Sequence, residues 1–233
     1  MPRCAWCGDD PLYVRYHDEE WGVPTRDPQL LFEFLLLEAF QAGLSWITVL
    51  RKRERYRQVL FGFDAERLAI MSDGEIDERM QDPGIIRNRR KLEAARGNAR
   101  AWLALEDPAG FVWSFVDGRP KVNRFERLDQ VPAVTDEAQA MSRALKRAGF
   151  SFVGPTICYA YMCRPVAWSS IIWSTASGTP SWLANMPAEG ATGKLARFRG
   201  WSSAWKNSKV LWWSACCAWW QCCPGRWCKG WGP

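Results

Sequence analysis

The chain has 233 residues, 48% hydrophobic and 24% charged, which fits one large globular domain or two small ones and excludes a disordered chain. A net charge of +6 and a pI near 8.9 suit a polyanionic partner without requiring one. The N-terminus lacks a basic segment followed by an apolar run, and LLFEFLLLEAF is short and broken by two glutamates, so the expectation is a cytoplasmic protein with no secretory signal and no membrane contact.

In chain order, DPQLLFEFLLLEAFQAGLSWITVLRKRERYRQVL predicts two helices. The first opens with Asp27 as N-cap and Pro28 at the first helical position; the second starts near Ser45, after a break at Gly43. DAERLAIMSDGEIDERMQDPG predicts two short helices capped by Asp64 and Ser72 and stopped at DPG. RNRRKLEAARGNARAWLALE reads as a long helix with a basic face, and TDEAQAMSRALKRAG as another, capped by Thr135 and ended by Gly149. FVWSFVDGRPKVN, with DG between two apolar runs, reads as a short hairpin or extended excursion. The fold class is therefore all-α, built from many short helices.

Three constellations carry chemistry. Cys4 and His17 are natural tetrahedral zinc ligands, flanked by Trp6, Tyr13, Tyr16 and Trp21, but they make half a site. On residues alone the plainer account, a buried free Cys and a hydrogen-bonded His, is favoured, and His17 is the only histidine in the chain. The second constellation joins Tyr13, Tyr16, Glu38 and Trp46. Glu38 lies in LLLEAF with Phe34, Leu35 and Ala42 on its helical face, so its carboxylate needs either a structural ion pair or a polar ligand. The third is GFSFVGPT, Gly149 to Thr156, where glycines bracket a turn that leads into the helical start ICYAYM. Such a turn presents backbone N–H groups to a phosphate, or simply joins two helices. Lys146, Arg147, Arg87, Arg89, Arg90 and Lys91 could add phosphate contacts or form solvated faces.

Taken together, PLYVRYHDEEWGVP, LLLEAFQAGLSWITVLRKRE, DPGIIRNRRKLEAARGNARA and GFSFVGPTICYAYM resemble the 3-methyladenine DNA glycosylase I family over residues 1 to 162. The resemblance implies a helix-hairpin-helix glycosylase domain that acts as a monomer on double-stranded DNA containing alkylated adenine, with no obligate protein partner. It implies that Gly149, Val153, Gly154 and Thr156 form the hairpin that grips a DNA phosphate. Glu38, Tyr16 and Trp46 would line the pocket for the flipped base, with Tyr13 nearby; Glu38 and Tyr16 would serve the chemistry, and the Gly43-Leu44-Ser45 turn would fill the gap left in the base stack. An adenine alkylated at N3 is cationic, so aromatic faces and a carboxylate favour it over neutral adenine, and hydrolysis leaves an abasic site without a covalent enzyme intermediate. A non-catalytic helical DNA-binding module, or an inactive truncated glycosylase, is the alternative.

In the family a structural zinc pairs the N-terminal Cys and His with a C-terminal Asp-His-Leu-Val-x-Cys motif. Here Cys4 and His17 match, and no such motif follows Met162. Beyond Met162 the chain holds eleven of its sixteen Trp and six of its nine Cys, without helical or strand period. With one choice of codons for Ser170 to Ala176, a shift of two nucleotides reads Asp-His-Leu-Val-Asp-Cys. Residues 163–233 are therefore expected to be an irregular, poorly ordered, out-of-frame tail, leaving the zinc site incomplete and the activity reduced. A genuine Cys- and Trp-rich module is the competing account, and its cysteines lack the paired C-x-x-C spacing of zinc ribbons.

Overall fold

A computed structural model describes residues 3–125, 130–164 and 169–172. Helices α2 (Pro28–Gln41), α3 (Trp46–Val59), α4 (Ala65–Ala69), α5 (Asp73–Met80), α6 (Arg89–Leu103) and α8 (Asp136–Arg147) lie where the caps and periodicity place them. Ser72 and Glu75 form a reciprocal capping box at the start of α5. Two further helices share the device that opens α2. At α1 (Pro11–Glu19) and α7 (Pro108–Trp113) an aspartate, Asp10 or Asp107, accepts from a backbone N–H of the first turn, and proline fills the position whose N–H would have no partner. Helix α9 (Pro155–Met162) follows the glycine-bracketed turn.

Helix α2 is the axis of the molecule. Leu31 through Phe40 are all buried, so the helix is apolar on every side and packs against α3, α6, α7 and α9. Phe40 stacks on Tyr56 of α3 with centroids 4.5 Å apart, Phe32 packs on Trp102 of α6, and the buried Tyr161 hydroxyl of α9 donates to the Leu31 carbonyl at 3.1 Å. The two glutamates inside this apolar helix meet different fates. Glu33 receives Arg53 of α3 at 2.6 Å, Arg57 at 2.8 Å also reaches it, and Arg53 continues to Glu20 beyond the end of α1. This buried charge network fastens α1, α2 and α3 to one another.

FVWSFVDG does not form a hairpin. Phe111, Phe115, Val112 and Val116 lie at helical spacing, so FVW ends α7 and SFV continues as a 3-10 turn over Ser114–Val116. Asp117 and Gly118 both take left-handed φ, and the Gly118 N–H donates back to the Trp113 carbonyl at 2.9 Å. The DG pair thus works as a helix stop, a role that the same two residues suit as well as a hairpin tip. The extended excursion comes later: β1 (Val122–Phe125) pairs in parallel with β2 (Ser169–Ile172), Val122 opposite Ser169. Apart from this pair the described residues are helical or looped, and the architecture is all-α. Of the expected irregular tail, Cys163 and Arg164 close α9 and 169–172 form β2; residues 165–168 and 173–233 lie outside the described residues.

Removing one member of a buried charge network leaves the others uncompensated. Arg53→Ala is expected to lower the free energy of unfolding by about 3–5 kcal/mol in urea titration, well beyond the effect of truncating the exposed Arg51.

Candidate active site

Helix α1 places Tyr13, Tyr16 and His17 at i, i+3 and i+4 on one face, turned toward α3. Tyr16 meets Trp46, the first residue of α3, with ring centroids 5.3 Å apart. Tyr13 stands behind Tyr16 at 6.5 Å, and both pack on Trp6, which the sequence associated only with the Cys4 and His17 pair. Glu38, on α2, has no exposed surface. All four residues grouped by sequence are thus buried at one junction of α1, α2 and α3.

No sequence pattern points to the fifth member, Arg164. Its guanidinium lies over the Trp46 ring, 3.3 Å from the centroid, and 5.5 Å from that of Tyr16. Its Nε forms an ion pair with Glu38 Oε1. The contact lacks hydrogen-bond alignment, because both Glu38 oxygens remain without a hydrogen-bond partner, as do Tyr16 OH, Trp46 Nε1 and Arg164 Nη1. Burial raises the Glu38 carboxyl from 4.5 to about 7, against the opposing pull of Arg164. Burial likewise holds the Tyr16 phenol well above its ordinary value, so it stays a protonated donor. The junction therefore offers two N–H and O–H donors, one carboxylate and two aromatic faces, a set that complements a flat ring carrying both acceptors and positive charge.

The hairpin follows α8. Gly149 takes φ +94, the left-handed region where glycine fits without strain, and Phe152 is held at φ 58, where a large side chain is strained. Asn98 of α6 holds this loop by two bonds: its Nδ2 donates to the Ser151 carbonyl at 3.1 Å and its Oδ1 accepts from the Ser151 N–H at 2.7 Å. Ser142 donates to the Val153 carbonyl at 2.6 Å. Val153's side chain is buried, so any DNA contact there is made by backbone. Gly154 is the N-cap of α9 and Thr156 lies in its first turn; a Cβ at Gly154 would meet nothing within 4 Å, which leaves the backbone open to a ligand.

The second candidate DNA element is the turn between α2 and α3. Gly43 takes φ 78, Leu44 is partly exposed, and Ser45 caps α3 by position, its hydroxyl bonding Thr48 at 2.7 Å. Gly43, Leu44, Asn88, Arg90 and Phe152 line one groove, so the fold brings this turn and the hairpin to the same surface. Arg87, Arg90, Lys146 and Arg147 are exposed, as phosphate contacts require. Lys91 is not available to a phosphate. It is buried, and its Nζ donates to the Phe40 and Ala42 carbonyls at 2.8 and 2.7 Å, at the negative end of α2. Arg89 is engaged with Asp77 and Glu93.

Cys4 and His17 are adjacent, but through the backbone: the Cys4 N–H donates to His17 Nε2 at 3.3 Å, while His17 Nδ1 bonds Asp18 at 2.9 Å. Both ring nitrogens are thereby engaged. Cys4 is only half-buried, and the buried thiol is that of Cys7, which donates to the Cys4 carbonyl. Among the described residues no group of three or more His, Cys, Asp or Glu that could hold a metal occurs, and Cys4 and His17 stand there as a pair.

A glycine-turned helical hairpin beside a basic groove, with an aromatic and carboxylate cluster buried at a junction of helices, defines the helix-hairpin-helix DNA glycosylase fold. The pattern of the methyladenine glycosylase family matches residues 6–164, and the chain belongs to that family. It is 50% identical to DNA-3-methyladenine glycosylase 1 of Escherichia coli K12 over 166 residues, 70% of this chain and 89% of that one. Among solved structures it resembles a 3-methyladenine DNA glycosylase I at 49% identity and TM-score 0.71, covering 72% of this chain and 95% of the other. The Staphylococcus aureus enzyme, solved to show how it recognises 3-methyladenine, aligns at 37% identity and TM-score 0.70 over 73% and 93% of the two chains.

Truncation of Asn98 removes both bonds to Ser151. Asn98→Ala is expected to cost about 1–3 kcal/mol of stability and to abolish the slow hydrogen exchange of the Ser151 amide, while the amides of α2 keep their protection.

Proposed function

We propose that this chain is a monofunctional DNA glycosylase that removes 3-methyladenine from alkylated double-stranded DNA. The observation that carries the reading is the junction around Glu38, where a fully buried carboxylate faces Trp46 and Tyr16 and already holds a flat delocalised cation. An adenine alkylated at N3 has the same two properties, and a flipped base of that kind would lie between the rings with Glu38 at its edge. In the reaction, a water oxygen bonds to C1′ as the C1′–N9 bond breaks. The bonding pair leaves with the base, which departs neutral, and the water's proton passes to solvent, leaving an abasic sugar. Glu38 and Tyr16 serve by binding and orienting the cationic base, while Tyr13 and Trp6 back the Tyr16 ring.

In the same reading Leu44, on the Gly43 to Ser45 turn, occupies the space vacated in the stack. The backbone of Gly149, Val153, Gly154 and Thr156 holds a phosphate near the start of α9. The pocket draws all its groups from one chain, which supports action as a monomer. No described helix is long and apolar enough to cross a membrane, and a cytoplasmic location remains part of the proposal.

The family match ends at residue 164, and a change of reading frame near that point remains part of the proposal. We likewise propose that the chain holds zinc weakly if at all, since His17 is engaged on both nitrogens. Metal analysis of the purified chain should find far less than stoichiometric zinc, and tight stoichiometric binding would overturn this.

Release of free 3-methyladenine from methylated duplex DNA tests the activity. Glu38→Gln is expected to lower kcat/KM by roughly 10- to 100-fold, the equivalent of about 1.5–3 kcal/mol for a lost charge-assisted contact, with binding to undamaged DNA unchanged. Because Glu38 keeps its proton up to about 7, the charge it offers a cationic base grows as pH rises through that value. Excision by the parent chain should rise across the same interval, and the rise should be absent from Glu38→Gln. DNA binding without any release of base would mark the chain as a non-catalytic module.

A further inference from the structure

Arg164 is the last residue before the undescribed 165–168, directly beyond the end of α9, where its backbone N–H donates to the Tyr161 carbonyl at 3.1 Å. It sends its side chain away from that helix end into the α1, α2 and α3 junction, where the residue is 6% exposed. Three of the groups it meets there, Trp46, Tyr16 and Glu38, are ones that the proposed function gives to the base. The guanidinium covers the Trp46 face at 3.3 Å, sits 5.5 Å from Tyr16, pairs with Glu38, and its Nη2 reaches Gln41 Oε1 at 3.4 Å. A guanidinium is planar, positively charged over the whole plane, and edged with N–H donors. An alkylated adenine shares the plane and the donor edge, and its positive charge is what distinguishes it from a normal adenine at such a site. The arrangement is not a general structural salt bridge, because it leaves Arg164 Nη1, Trp46 Nε1 and Tyr16 OH without hydrogen-bond partners. A side chain held mainly by charge and stacking, with one long hydrogen bond to Gln41, is readily exchanged for a ligand that satisfies the groups around it.

We propose that Arg164 is a tethered competitor of the substrate: its guanidinium occupies the base pocket in the free protein and must swing out before a flipped base can enter. The inference rests on the reading of this junction as the base pocket. It also assigns the pocket a class of ligand beyond nucleobases, namely small planar guanidinium cations. Because the competitor is part of the chain, its effective concentration does not fall on dilution, and the apparent affinity for damaged DNA is reduced by the fraction of molecules whose pocket is open.

The test is steady-state release of 3-methyladenine from methylated duplex DNA by the full chain and by Arg164→Ala, compared at matched pH values above neutrality, because removing Arg164 takes away the charge that holds the Glu38 carboxyl down. Arg164→Gln, which keeps most of the side-chain volume without the charge, serves as second variant. Both variants are expected to lower KM about tenfold with kcat changed less than about twofold. Methylguanidinium should inhibit Arg164→Ala competitively, restoring the lost group in trans, and should inhibit the parent chain far less. An unchanged or raised KM in both variants, or equal inhibition of parent and variant by methylguanidinium, overturns the proposal and leaves the base-pocket reading standing. Failure of the parent and both variants to release any base defeats the base-pocket reading itself, and this proposal with it.

Discussion

A carboxylate without exposed surface, set in the middle of an all-apolar helix, is the constraint around which the rest of this protein is arranged. Burying Glu38 on α2 is unfavourable unless something positive or hydrogen-bonding meets it. The neighbouring Glu33 shows how a purely structural solution looks: Arg53 and Arg57 both reach it, and the network ties three helices. Glu38 instead faces aromatic rings and a single guanidinium that leaves its oxygens without aligned hydrogen bonds. Two glutamates, five residues apart on one helix, thus separate a settled charge from an unsettled one. The unsettled one is where binding energy for a cation can be gained.

Much of this was legible in the sequence because local chemistry and tertiary packing agree. Asp27 with Pro28, Ser72 with Glu75 and Thr135 mark helix starts that packing has no reason to override. Glu38 announced itself as a charge on an apolar face. Helix α1 was not read from periodicity, since it is short and its aromatics face a junction, yet Asp10 with Pro11 carries the same start signal as Asp27 with Pro28. FVWSFVDG failed for a different reason: a left-handed pair suits a hairpin tip and a helix stop equally, and only the Trp113 carbonyl waiting for the Gly118 N–H decided between them.

Lys91 and Arg164 were illegible on physical grounds. Lys91 sits in a basic run that reads as a solvated face, and its burial is dictated by carbonyls at the end of another helix, α2. Arg164 reaches residues on α1, α2 and α3, and no local pattern near the end of α9 encodes so distant a meeting. Both are long-range electrostatic matches. Cys4 and His17 show the converse: residue types suited to a metal can be adjacent and still spend their polar atoms on a backbone amide and an aspartate.

The bonds made by α6 have a geometric consequence. Lys91 fixes the end of α2, from which the Gly43 to Ser45 turn departs, and Asn98 fixes the hairpin at Ser151. Residues 91 and 98 are seven apart, two helical turns, so they share a face and stand about 10 Å apart along the axis. One rigid rod therefore works as a caliper whose two jaws are the loops that the proposed function gives to DNA, with their separation set by helix pitch and not by loop flexibility. A single residue gained or lost between the jaws would rotate one of them by about 100° and take both loops out of register with the same duplex.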